Sequence, residues 1–248
     1  MIFKYSGNKW KILQKLGLQL PSHKRLAELY LGSGAFILSN KGPALGMDTN
    51  PDIVDLWKWL KTVKPEELRE LERVRQVHVA AASDNKPDVR KMGLDRGAEL
   101  YMRVNVTGVY VGQLSSWKVY PKWKLPVEQT ISRLERVKEI DIRLGKAHID
   151  YTQEDGDLVF LDPPYIGTKG NYKQGAKKGI EESYNPQDTI DLISRLSCPI
   201  ILTYGTDAKT AFPQYEWQEV LRKKVPLIRK GGTVERIEHV ALINWKQQ

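Results

Sequence analysis

Short apolar runs punctuate this chain at Leu26–Leu31, Ala44–Asp48, Leu158–Leu161 and Pro199–Tyr204. Runs of that length, bounded by turn residues, predict buried strands. Helical signals lie between them. Ahead of the fourth run, Asn185 is a predicted N-cap and Pro186 fits the first turn. Ile190, Ile193 and Leu196 then make one apolar face. Strands alternating with helices predict an α/β fold with a parallel sheet. The tail has a different pattern: Glu216–Arg229 and Glu235–Trp245 flank Gly231-Gly232, as in an antiparallel hairpin.

From Leu56 to Lys146 the pattern changes. Glu66–Ala82 and Val127–Leu144 are charged and helix-periodic. In the second, Ile131, Leu134, Val137 and Leu144 face inward, while Arg133, Arg136, Lys138 and Arg143 face outward. Between them lies Val104–Leu125, rich in Gly, Ser, Val, Tyr and Trp, which predicts a loop or short hairpin. The expected organisation is a core domain of residues 1–55 and 146–248, interrupted by a mostly helical insertion of residues 56–145. No internal repeat or low-complexity segment is visible.

Composition narrows the class. With 248 residues and 41% hydrophobic content the chain can bury a real core. No apolar stretch is long enough to span a bilayer, and the N-terminus lacks a signal-peptide pattern. The single cysteine, Cys198, excludes an intramolecular disulfide, and the four histidines are scattered without metal-ligand spacing. A cytoplasmic protein without a metal is expected. Lys and Arg number 39 against 30 Asp and Glu, a formal charge of +9, which favours a polyanionic partner.

The most informative stretch is Leu158-Val-Phe-Leu-Asp-Pro-Pro-Tyr165. A buried strand ends in two prolines that cannot continue the ladder. This leaves Asp162 and Tyr165 on a stiff loop at the carboxyl end of a strand, where open α/β sheets bind ligands. The Asp162 carboxylate and the Pro163 carbonyl can accept hydrogen bonds from a planar exocyclic amine, and Tyr165 can stack on the ring that carries it. A plain proline-rich turn with a solvated Asp162 is the alternative.

A second motif, Glu28-Leu-Tyr-Leu-Gly-Ser-Gly-Ala-Phe36, runs a strand into Gly32-x-Gly34, where backbone turns tightly and approaches a ligand. Asp48 ends the next strand, where an acid can hold ribose hydroxyls. The third glycine of the dinucleotide fingerprint is absent, since Ile37 stands in its place, which argues against NAD. A third segment, Phe3-Lys-Tyr-Ser-Gly-Asn-Lys9, puts Tyr5 and two lysines around a small-residue turn.

In this order and spacing, the three motifs resemble the Dam-type, class-alpha DNA adenine-N6 methyltransferases over nearly the whole chain. The resemblance implies a Rossmann-like S-adenosylmethionine-dependent methyltransferase sheet with a C-terminal hairpin. It implies S-adenosylmethionine as methyl donor and S-adenosylhomocysteine as product, and methylation of a flipped-out adenine N6 in double-stranded DNA. By position, Tyr5, Gly7, Lys9, Gly32, Gly34, Ala35, Asp48 and Asp162 would line the donor site. Asp162, Pro163, Pro164 and Tyr165 would be the catalytic motif, and Lys4 would touch DNA.

The insertion matches the target-recognition domain, where Gln113, Ser115, Ser116, Lys118, Lys122 and Lys124 are candidate DNA contacts. The cationic loop after the motif adds Lys169, Tyr172 and Lys173 as a flap over substrate. Three features depart from the family: Leu29 precedes Tyr30 where a proline is usual, Tyr204-Gly205 follows the fourth strand in place of small polar residues, and the recognition segment has no arginine. The same chemistry on cytosine N4 or an RNA base is the close alternative, and a DNA-binding protein without turnover the distant one. Recognition sequence, bacterial or viral origin, a restriction partner and oligomeric state stay open, with a monomer acting on DNA favoured.

Overall fold

The computed structural model describes residues 2, 9, 12, 14–15, 20–82, 86–107, 117–165, 184–226 and 233–245. Seven strands form one sheet: β1 (Arg25–Glu28), β2 (Ala44–Asp48), β3 (Ile140–Leu144), β4 (Asp157–Leu161), β5 (Ile200–Tyr204), β6 (Gln218–Pro226) and β7 (Thr233–Ile243). Their order is β3-β2-β1-β4-β5-β7-β6. The first five are mutually parallel, while β7 runs antiparallel to both β5 and β6. This is a Rossmann-like α/β sheet carrying the C-terminal antiparallel hairpin expected from the sequence.

Both faces of the sheet are covered, which explains why its central strands are apolar throughout. Along β4, Leu158 and Phe160 enter one core, and Val159 and Leu161 enter the other. The first core also takes residues of α1 (Pro51–Thr62), α2 (Pro65–Ala81) and α3 (Arg96–Val106), among them Trp57, Leu68 and Tyr101. One apolar cluster therefore runs from the sheet into the insertion. The second core is closed by α7 (Pro186–Ser194), which follows α4 (Val127–Ile131), α5 (Leu134–Lys138) and α6 (Ala147–Asp150) in the chain. The Asn185 side chain accepts from the Gln187 N–H, as its sequence position predicts.

Three local expectations need correction. The first strand stops at Glu28, not Leu31, because the chain bends at Leu29 and Tyr30 into the glycine loop. Val127–Leu144 is not one helix. It breaks into α4 and α5, and its last residues become β3. Ile140 and Ile142 point into the core and Asp141 and Arg143 away from it, the period of two that a strand requires. β2 supplies the ladder in register from Ala44↔Ile140 to Asp48↔Leu144. Residues 140–144, placed by sequence in the insertion, are thus an outer strand of the central sheet. Among the described residues, no helix is long and apolar enough to cross a membrane.

Candidate active site

The loop after β4 places Asp162 beyond the sheet edge, next to the end of β5. Thr203 Oγ1 donates to Asp162 Oδ1 at 3.0 Å, and Lys9 Nζ lies 3.0 Å from Asp162 Oδ2. Burial pushes the Asp162 carboxyl above the usual carboxylate range, and the Lys9 ammonium offsets part of that push. Lys9 also donates to the Tyr165 hydroxyl at 2.6 Å, and that hydroxyl donates to Glu238 Oε2 at 2.8 Å. Lys9 is itself buried.

Tyr165 is held against aromatic neighbours as well. Its ring lies 4.8 Å from that of Tyr204, whose hydroxyl donates to the Pro164 carbonyl at 3.3 Å. Gly205 leaves room for it: a Cβ there would sit 2.9 Å from the Tyr165 ring carbons. The Tyr204-Gly205 departure from the family pattern is therefore a matched pair that seats the motif tyrosine.

The glycine loop after β1 is built from below by Trp57 of α1. Its indole N–H donates to the Gly32 carbonyl at 2.9 Å. Gly32 and Gly34 have φ of 44° and 61°, the left-handed region that side chains disfavour. The Asp48 carboxylate at the end of β2 accepts from the Gly32 N–H at 2.9 Å and the Asn50 N–H at 2.8 Å. Burial raises its pKa, and these backbone donors work against the rise.

Glu28, at the last position of β1, is buried, and one of its oxygens accepts from both the Phe36 and Ile37 N–H groups, at 3.2 and 3.0 Å. Burial pushes its carboxyl up to about 8. The negative charges of Asp162 and Asp48 add to that rise, and the backbone donors oppose it. Both N–H groups bond the same oxygen, Oε2.

The structure brings together Lys9, Asp162 and Tyr165, and it places Gly32, Gly34, Ala35 and Asp48 on the neighbouring loop and strand end. Tyr5, Gly7 and Lys4 lie outside the described residues, as do Gln113, Ser115, Ser116, Lys169, Tyr172 and Lys173. Lys118, Lys122 and Lys124 are exposed on the insertion, Lys118 within 3.7 Å of Asp88. Beside them Tyr120 and Trp123 stack with centroids 4.6 Å apart, and the Lys86 ammonium sits 3.7 Å from the Tyr120 ring centre.

Glu28, Trp57, Thr203 and Glu238 were not singled out from the sequence. Thr203 and Glu238 carry a weak signal, as polar residues inside strand patterns. Trp57 reads as one more apolar residue of an amphipathic helix.

Residues 5–86 match the family model of the D12 class N6 adenine-specific DNA methyltransferases. The Dam-type resemblance is thereby borne out on the part of the chain that holds Lys9, the glycine loop and Asp48. The chain is 40% identical over 58 residues to the Retron Ec67 DNA adenine methylase of Escherichia coli, covering 23% of this chain and 20% of that protein. It is 28% identical over 184 residues to the Type II methyltransferase M1.LlaDCHI of Lactococcus lactis subsp. cremoris, covering 66% of this chain and 64% of that one. The matches thus span less than two thirds of either relative. Among solved structures, the precorrin-6y C5,15-methyltransferase of Geobacter metallireducens GS-15 superposes with a TM-score of 0.41 at 8% identity, over 99% of this chain and 94% of that one. The fold assignment rests on the strand order described above.

Proposed function

We propose that this chain transfers a methyl group from S-adenosylmethionine to the N6 amine of an adenine flipped out of double-stranded DNA. The observation that carries the reading is the Asp162-Pro163-Pro164-Tyr165 loop, set beside the glycine loop with its carboxylate fixed by Thr203 and Lys9. The residues fit the donor. Asp48 presents a half-buried carboxylate suited to a ribose diol, and the left-handed glycines bring bare backbone to the same edge of the sheet. When bound, S-adenosylmethionine supplies an electrophilic sulfonium methyl group. In this reading Lys9, Gly32, Gly34, Ala35 and Asp48 hold the donor, joined by Tyr5 and Gly7.

Adenine N6 is a poor nucleophile because its lone pair is delocalised into the ring. Asp162 and the Pro163 carbonyl accept hydrogen bonds from its two N–H groups and favour the pyramidal form. A carboxylate has about four lone-pair sites, so the bonds from Thr203 and Lys9 leave Asp162 room to accept another. Most of the acceleration comes from alignment of nitrogen, methyl and sulfur, and the acceptors also stabilise positive charge growing on nitrogen. Asp162 need not be a strong base before transfer, since the methylated amine sheds its proton readily. Tyr165 stacks on the extruded base and offsets part of an unstacking cost of a few kcal/mol.

Lys4, Gln113, Ser115, Ser116, Lys118, Lys122, Lys124, Lys169, Tyr172 and Lys173 are the proposed DNA contacts, and the cytoplasm is the proposed compartment. Incubating the protein with tritiated donor and unmodified DNA, then identifying the labelled nucleoside, tests the proposal. Label in N6-methyldeoxyadenosine supports it. Label in N4-methyldeoxycytidine changes the acceptor, label only in a parallel incubation with RNA moves it to an RNA base, and no label in either refutes turnover.

A further inference from the structure

We infer that Glu238, on the C-terminal hairpin, is a positioning residue for the transfer, holding the Tyr165 hydroxyl and sharing the Lys9 ammonium with Asp162. The inference rests on the adenine-methyltransferase reading and adds to it a residue outside its motifs. Tyr165 Oη accepts from Lys9 at 2.6 Å and donates to Glu238 Oε2 at 2.8 Å. A phenol has one proton, so the Glu238 bond fixes where it points and turns an oxygen lone pair toward Lys9. Lys9 Nζ stands 3.0 Å from Asp162 Oδ2 and 3.7 Å from Glu238 Oε2, so one buried ammonium serves two acids.

Two consequences follow for the reacting groups. The Tyr165 ring is pinned at its hydroxyl by Glu238 and along its body by Tyr204 and Gly205. A ring pinned at both ends is a preorganised stacking surface. Glu238 also takes part of the Lys9 charge. Without it, the ammonium bears more fully on Asp162 and draws that carboxylate away from the amine it must accept.

Glu238 reaches this place through tertiary pairing. β7 lies antiparallel to β5 with Tyr204 opposite His239, and the His239 ring nitrogen lies 3.1 Å from the Gly205 carbonyl oxygen. That register delivers the neighbouring Glu238 to the motif loop.

Single-turnover methyl transfer by the full chain tests this, comparing E238A, E238Q, Y165F and the E238A/Y165F double variant. Loss of a hydrogen bond to a charged group predicts that E238A slows transfer about 10- to 100-fold. Donor and DNA dissociation constants should shift by less than about threefold, because the effect lies in the transition state. E238Q, whose amide oxygen still accepts from Tyr165 but carries no charge to share Lys9 with Asp162, should fall between E238A and wild type. The double variant should be no slower than the slower single variant.

An E238A rate within about twofold of wild type, losses that multiply in the double variant, or an E238Q as slow as E238A would each overturn the inference. Should E238A fail to fold, E238D and Y165F carry the comparison, and a wild-type rate in both overturns it. If the wild-type chain labels no DNA, the functional reading fails on its own. The Tyr165–Glu238 link is then read from urea unfolding of the same variants, where additive losses overturn it.

Discussion

The Lys9 ammonium lies 3.0 Å from the Asp162 carboxylate, joining the beginning of the chain to the loop that follows the fourth strand. Asp162 belongs to no hydrophobic cluster, and its partners are polar. Replacing it should remove chemistry and spare the fold. Asp162→Ala is expected to lower single-turnover transfer by about 10²- to 10³-fold, the scale of losing a transition-state hydrogen-bonding group, with an unchanged far-ultraviolet circular dichroism spectrum. Activity within a few-fold of wild type would refute the proposed role.

Glu28 makes stability depend on pH. Its folded pKa of about 8 lies above its ordinary value of 4.5. Below that ordinary value the group is protonated in both states and its contribution is fully present. As pH rises toward 8, the unfolded chain ionises while the folded one holds its proton, so stability falls. Glu28→Gln keeps an oxygen for the Phe36 and Ile37 N–H groups and has no proton to lose. Melting temperatures measured from pH 5 to about 9 should drop more for wild type than for E28Q. Parallel curves would show that Glu28 ionises normally.

Gly34 has no room for a side chain. A Cβ there would stand 2.5 Å from Trp57 Cζ2 and 2.7 Å from Cη2, in a backbone with φ of 61°. Gly34→Ala is expected to cost roughly 1–3 kcal/mol in urea unfolding, from overpacking and left-handed strain together. Donor affinity should weaken as the loop shifts. A stability change below about 0.5 kcal/mol would mean that the indole yields easily.

DNA affinity should fall steeply with salt, with a log–log slope of about −0.9 per phosphate contact. Lys122 and Lys124 are exposed beside the Tyr120–Trp123 stack and are well placed to contribute. Replacing both with Glu should weaken binding to all sequences alike and flatten the slope by about two contacts' worth. An unchanged slope would move the phosphate contacts elsewhere.

Sequence discrimination is expected to be short or relaxed. Guanine in the major groove is most often read by a bidentate arginine, and Val104–Leu125 contains none. Two nearby arginines are committed to structure. Arg103 is buried, its guanidinium 3.6 Å from the Trp117 ring centre and 3.6 Å from Glu99. Arg133 donates to the Leu38 carbonyl at 2.7 Å. Sequencing the adenines methylated across a genome-sized substrate checks this, and a strict site of four or more base pairs would contradict it.

Local signals in the sequence determined the elements whose chemistry is local. The apolar run to Leu161 followed by Asp162-Pro163-Pro164 marks a strand end, because proline lacks a ladder donor. Asn185-Pro186 starts a helix, because a side-chain acceptor and a fixed φ suit its first turn. Gly32, Gly34 and Asp48 were legible as a loop and strand end of ligand-binding type, and Asp162 and Tyr165 as a motif.

Tertiary structure decided the rest. Ile140–Leu144 continues a helical charge pattern in one dimension and becomes a strand only because β2 offers unpaired backbone groups alongside it. Trp57 under the glycine loop and the Lys9–Tyr165–Glu238 chain join residues far apart in sequence. Burial and the company of other charges set the state of each ionisable group. Neither quantity exists until the sheet has closed around it.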